Sequence, residues 1–184
     1  MAVVEEKRVQ YRRYEDRRIA LMVSVYETLF NKPAGPDRNS ILLKVILENY
    51  RADRAAIGDV EKPGAGPVRI VSTVGDWEAT GKQLAGPGLD TLMNLQDGAP
   101  GALTLTRVKR PQVFSSEAWD SLWVDTLEAQ TTALLSVQIK PERAPSSVLW
   151  ILQTNYSREW SSRDRDLAEE VASVLARSHD KDAS

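Results

Sequence analysis

The chain has 184 residues, 42% of them hydrophobic and 27% charged, which is the length and composition of one globular domain able to bury its own core. Its 24 Lys and Arg against 26 Asp and Glu leave a formal net charge of −2, so no basic excess points to nucleic acid and no acidic excess to a disordered tail. Zero cysteines exclude disulfides, thiolate metal sites, thiol nucleophiles and thioether-linked cofactors, and the single histidine, His179, lies too near the C-terminus for a His-based metal cluster or a Ser-His-Asp set.

Arg12 and Arg13 precede the apolar run Ile19 to Phe30 in the manner of an export signal. The run is too short for a membrane span of about 20 residues, Glu27 interrupts it, and no small-residue cleavage site follows. A cytoplasmic protein with no membrane or nucleic-acid partner is expected.

Glu5 to Asn31 contain no Gly or Pro and predict one helix of 27 residues, about 40 Å long at the helical rise. Its first half is charged on most sides and its second half apolar nearly all round. Such a helix needs burial on every side, so Ile19, Met22, Val25, Tyr26, Leu29 and Phe30 are expected to meet both their own domain and a second copy of the helix, in a coiled-coil or helical-bundle dimer interface. Loops of the same chain covering the outer face are the alternative.

A turn at Asn31 to Gly35 leads to a second helix with Asp37 or Asn39 as cap and Ile41, Leu42, Val45 and Ile46 on one broad face. Arg54 to Val60 and Val68 to Val74 read as an antiparallel hairpin, its turn holding Pro63, Gly64, Gly66 and Pro67 and too long for two residues. Gly75 to Pro111 is the least regular third and holds six of the ten glycines. Within it Asp90 can cap a short helix carrying Leu92, Met93 and Leu95, and Leu103 to Val108 alternate as a short strand. Irregular stretches of this kind are either functional coverings or surface excursions.

Ser115 or Ser116 can cap a helix with Trp119, Leu122, Trp123 and Leu127 on one face. The two tryptophans are either ordinary core or an aromatic wall for a ligand. Ala133 to Lys140 and Ser147 to Asn155 are the clearest strands, and in the second both alternating faces are apolar, so it is expected to be central. The final helix opens at Ser161 or Ser162, with Asp164 serving its first turn, and runs to about Ser178. Leu167, Val171, Val174 and Leu175 form its core stripe; Ala168, Ala172 and Ala176 form a small-residue row that permits close helix approach.

The order of elements is a mixed α/β (α+β) layer with a central antiparallel sheet. The sequence resembles a GAF domain on three pieces: Ala52 to Ile57 leading into the first strand, Ala133 to Ile139 as a central strand, and Val148 to Leu152 followed by Arg158 to Asp164 and the last helix. The resemblance spans about Arg38 to Ser178. It divides the chain into an N-terminal helical arm, 1–37, a GAF-like domain, 38–178, and a disordered tail, 179–184. In two places the sequence departs from the family: Gln138 stands where proline is frequent, and Trp150 where glycine is. Trp150 therefore fills space that relatives leave open.

The resemblance implies terminal helices on one face of the sheet, irregular loops and short helices on the other, and a non-enzymatic sensory or regulatory module. It also implies an unidentified small ligand between sheet and covering segments, with no covalent cofactor and no metal, since bilin attachment, sulfoxide reductase chemistry and haem ligation lack their Cys or His. Trp77, Leu92, Met93, Thr104, Thr106, Trp119 and Trp123 are the expected lining, the threonines orienting polar atoms. Ile19, Met22, Val25, Tyr26, Leu29, Ala168 and Ala172 are the expected homodimer interface. The alternative is an interaction scaffold with a filled pocket, acting on a signalling partner protein through its long N-terminal helix. The acidic pairs Asp59 with Glu61 and Asp76 with Glu78 read as exposed turn carboxylates, and no phosphate-loop spacing occurs among the glycines.

Overall fold

The computed structural model describes residues 2–99 and 101–184. Helices α1 (Ala2–Asn31), α2 (Pro36–Tyr50) and α5 (Ser162–Asp182) cover one face of a six-stranded antiparallel sheet. The strands are β1 (Arg54–Lys62), β2 (Ala65–Gly75), β3 (Gln83–Leu84), β4 (Leu103–Thr106), β5 (Thr131–Ile139) and β6 (Ser147–Thr154), ordered β3-β2-β1-β6-β5-β4. Helices α3 (Pro87–Gly98) and α4 (Ser116–Ser121), the latter widening into a π turn at Leu122–Thr126, cover the other face. The expected α+β layering is the one observed.

Alternation along the strands divides the interior into two cores. Leu149 and Ile151 of β6 join Leu42, Leu43, Ile46, Leu167 and Val171 on the helical side; Val148, Trp150 and Leu152 join Leu89, Leu92, Trp119 and Trp123 on the other. β6 lies between β1 and β5 and all eight of its residues are buried, as its two apolar faces require.

Several boundaries differ from the sequence reading. The hairpin turn is only Pro63 and Gly64, because Lys62 pairs directly with Ala65 and the extra residues are absorbed as irregularities in the β1–β2 ladder. α2 and α3 start at prolines behind Gly35 and Gly86, so Asp37, Asn39 and Asp90 do not cap; proline at the first turn gives up only an N–H that has no helical partner there. Asp90 instead accepts the Gly66 N–H at 3.2 Å. Gly88 lets α3 lie against backbone, since a methyl built there would overlap the Ala118 carbonyl and the Leu122 amide. Ser161 caps α5 in a reciprocal box with Asp164. α5 continues to Asp182, whose carboxylate pairs with buried Arg38, so the expected disordered tail is helical over most of its length.

α1 is also less separate than the word arm suggests. Leu21, Met22 and Val25 belong to the helical-side core. Arg17 meets Asp164 at 3.0 Å, Arg18 meets Glu170 at 2.7 Å, and Arg177 donates to the Tyr26 hydroxyl at 3.4 Å. These contacts rise in step along both helices, so α1 and α5 lie side by side and parallel.

Candidate functional site

The covering face of the sheet gathers five of the seven expected ligand-lining residues. Trp77, Leu92, Met93, Trp119 and Trp123 are all buried in the second core, with Ala56, Leu134, Val148 and Trp150 of the sheet beneath them. Phe114, Trp119 and Trp123 form a run of edge-to-face contacts with ring centroids 5.0 and 5.2 Å apart. These side chains belong to one buried hydrophobic cluster. Five clefts of the described surface measure about 280 to 860 Å³, and none of these is lined by any of the five residues.

Thr104 and Thr106 are not with them. β4 pairs Leu105 with Leu134 but Thr104 with Leu135 and Thr106 with Ala133, so the threonines face the helical side. There they border a cleft of about 280 Å³ with Glu159 and Trp160. They cannot orient a ligand on the other face, because Leu105 takes the inward position.

Trp150 occupies the centre of the covered face. It is fully buried, and its indole N–H donates to Ser136 Oγ at 3.0 Å. The Trp123 Nε1 and Thr126 Oγ1 atoms of the π turn are buried with no partner among the described residues. Such groups are uncommon in folded interiors.

The expected dimer residues also separate. Met22, Val25, Ala168 and Ala172 are buried within their own chain, and Leu29 packs at the margin of the same core. Ile19 and Tyr26 are about half exposed, at 54% and 51%, and Val23 and Phe30 join them at 50% and 89%. The exposed stripe is thus Ile19, Val23, Tyr26 and Phe30, at intervals of four, three and four. The sequence reading missed Val23, although the spacing itself was there to be read.

Where α1, α2 and α5 meet, the charged groups form a connected set. Tyr50 donates to the Asp164 carbonyl at 2.8 Å and burial pushes its phenol up. Burial opposes ionisation of Asp164, but the Ser161 amide and hydroxyl and the Arg17 guanidinium together outweigh it and hold the carboxyl below the usual range. Arg158 stacks over Trp160 at 4.1 Å and donates to the Tyr50 carbonyl at 2.7 Å. Among the described residues no group of three or more His, Asp or Glu is placed to hold a metal ion, and no helix is long and apolar enough to cross a membrane.

No protein-family model and no curated protein matches the sequence. Solved structures do match in shape. One is a far-red-absorbing protein in its dark state with bound biliverdin, at a TM-score of 0.72 and 14% identity over 90% of this chain and 99% of that one. The GAF domain of a phosphoenolpyruvate-protein phosphotransferase from Coxiella burnetii matches at 0.64 and 14%, over 88% of this chain and 93% of that one. The A. aeolicus nlh2 GAF domain, in an inactive state, matches at 0.61 and 16%, over 90% and 96%. The chain has the GAF fold.

Within this GAF fold the irregular middle third is the covering layer of the sheet. α3, α4 and the π turn that follows seal it with aromatic and aliphatic side chains.

Proposed function

We propose that the chain is a non-enzymatic, cytoplasmic regulatory module of the GAF fold that works as a homodimer through α1, with its sheet-covering core filled instead of open. The observation that carries this reading is the exposed stripe Ile19, Val23, Tyr26 and Phe30. Its four-three-four spacing keeps the exposed apolar residues on one face of the helix, as in a coiled-coil seam, and a surface that complements such a seam is the same seam on an identical helix. The charged first half of α1 carries six basic and four acidic residues through Arg18, a mixture that lets two copies align without net repulsion of large size. Light scattering of the intact protein should give twice the 20.5 kDa chain mass, and V23E/Y26E should give a monomer with an unchanged far-UV spectrum. A monomeric intact protein at micromolar concentration removes the homodimer and leaves a heterologous helix as the partner of the stripe.

A second reading is favoured by the unpartnered Trp123 Nε1 and Thr126 Oγ1. In it the covering layer opens to admit a small ligand that satisfies these groups, as a sensory domain does; the neighbour with bound biliverdin supports this use of the fold. Native mass spectrometry of freshly purified protein, together with a melting-shift screen of metabolites, tests it. A clean apo mass with no shift counts against it.

A further inference from the structure

A cleft of about 860 Å³ lies on the helical side between α1, the end of α2 and the segment leading into α5. Arg13 and Arg17 enter it from α1, Arg51 from the α2 C-cap and Arg158 from the segment after β6; Asp16 and Glu48 are the only carboxylates on its wall. A chain with a net charge of −2 therefore concentrates four guanidinium groups against two carboxylates in one place. We propose that this cleft binds a small phosphorylated anion, held by the Arg13, Arg51 and Arg158 guanidinium groups.

The bonding of each arginine separates those that build the cleft from those that are free to receive a ligand. Arg17 is committed through two of its three nitrogens: Nη1 pairs with Asp164 at 3.0 Å, Nε donates to Asn49 Oδ1 at 2.9 Å, and the guanidinium rests on the Tyr50 ring at 4.8 Å, while Nη2 is buried with no partner among the described residues. Arg158 donates through Nη1 alone, to the carbonyls of Tyr50 at 2.7 Å and Arg51 at 3.4 Å and to Gln153 Oε1 at 3.4 Å, all neutral acceptors. Its plane is fixed on Trp160. Among the described residues neither Arg158, Arg13 nor Arg51 has a carboxylate within 4 Å.

A helix C-terminus normally repels anions. Here the Leu47 and Glu48 carbonyls are taken by the amides of Ala52 and Arg51, and the Tyr50 and Arg51 carbonyls by the cationic Arg158, which offsets part of the negative end of α2. Burial lowers the Arg158 pKa against the pull of Asp164, with the neighbouring Arg17 charge a smaller contribution in the same direction as burial. The planar fork of arginine matches two oxygens of one phosphoryl group, and a cleft of this volume takes a metabolite larger than inorganic phosphate.

The probe is sodium pyrophosphate, titrated calorimetrically into the full chain and compared with sodium chloride at equal ionic strength. Saturable binding is expected with pyrophosphate alone. R13Q/R51Q, which alters two exposed side chains with no ion pairs among the described residues, should weaken it by about tenfold or more while leaving the melting temperature without ligand unchanged. D16N/E48Q should tighten it several-fold, a gain that a merely structural effect would not give. No saturable binding up to about 10 mM, equal stabilisation by chloride, or R13Q/R51Q binding like the wild type overturns the proposal.

Discussion

Trp150 donates its indole N–H to Ser136 Oγ at 3.0 Å, across the β6–β5 pair and inside a fully buried layer. The bond lets a large side chain with a polar edge fill the middle of a core without leaving that edge unpaired. Trp150 stood out in the sequence as a departure from the family pattern; Ser136, its partner, had no mark of its own beyond lying in a strand.

Removal of either partner should be costly, and for different reasons. W150A should lose about 3–5 kcal/mol in urea denaturation, from lost burial and the cavity left behind. S136A should lose about 1–3 kcal/mol, because the indole N–H is then buried without an acceptor. Indole added to W150A should raise its melting temperature and leave that of the wild type unchanged. If indole raises both equally, the space it enters is not the one Trp150 vacates.

Acid should weaken the junction of α1 with α5 through Asp164. Its carboxyl lies below the ordinary value in the folded chain, so the stability it supplies is present above the unfolded value of about 3.9 and is lost as pH falls through the lower folded value. D164N should cost about 1–3 kcal/mol at neutral pH, through the Ser161 box and the Arg17 pair, and should show a shallower loss of stability below about pH 4. Urea midpoints between pH 7 and 3 give both quantities. Equal acid slopes in D164N and the wild type would assign the loss to other carboxyls.

His179 makes a second pH-dependent contact at the other end of α5. Burial and then Arg38 push its imidazole below the usual value, against the opposing pull of Asp182, Asp59 and Asp180. The unfolded chain therefore takes up the proton first as pH falls. Stability is full above about pH 6.5 and declines from there toward the lower folded value. H179Q should flatten this part of the profile and change stability at pH 8 by less than about 1 kcal/mol. Melting temperatures across pH 5 to 8 test the prediction; an unchanged slope in H179Q would refute it.

The long elements were legible because each repeats one period over many residues. Helix α5, strands β5 and β6, and the final capping serine with Asp164 all appear where hydrophobic spacing and cap chemistry place them. Thr104 and Thr106 were misplaced because a four-residue strand shows its alternation but not which face is which; pairing with Leu135 and Ala133 decides that. The apolar second half of α1 was read as one surface serving two neighbours at once. The structure divides it into Leu21, Met22 and Val25 inward and Ile19, Val23, Tyr26 and Phe30 outward. Arg51 and Arg158 lie more than 100 positions apart along the chain and are brought together only by the return of β6 beside β1. No local pattern announces such a site.

The parallel course of α1 and α5 lays two struts in the same direction over one face of the sheet. The chain comes in at one end of the pair and leaves at the other, past 30 helical residues on the way in and 21 on the way out. Arg17, Arg18 and Tyr26 with their partners tie the two helices at successive levels, so sliding one past the other breaks every tie together.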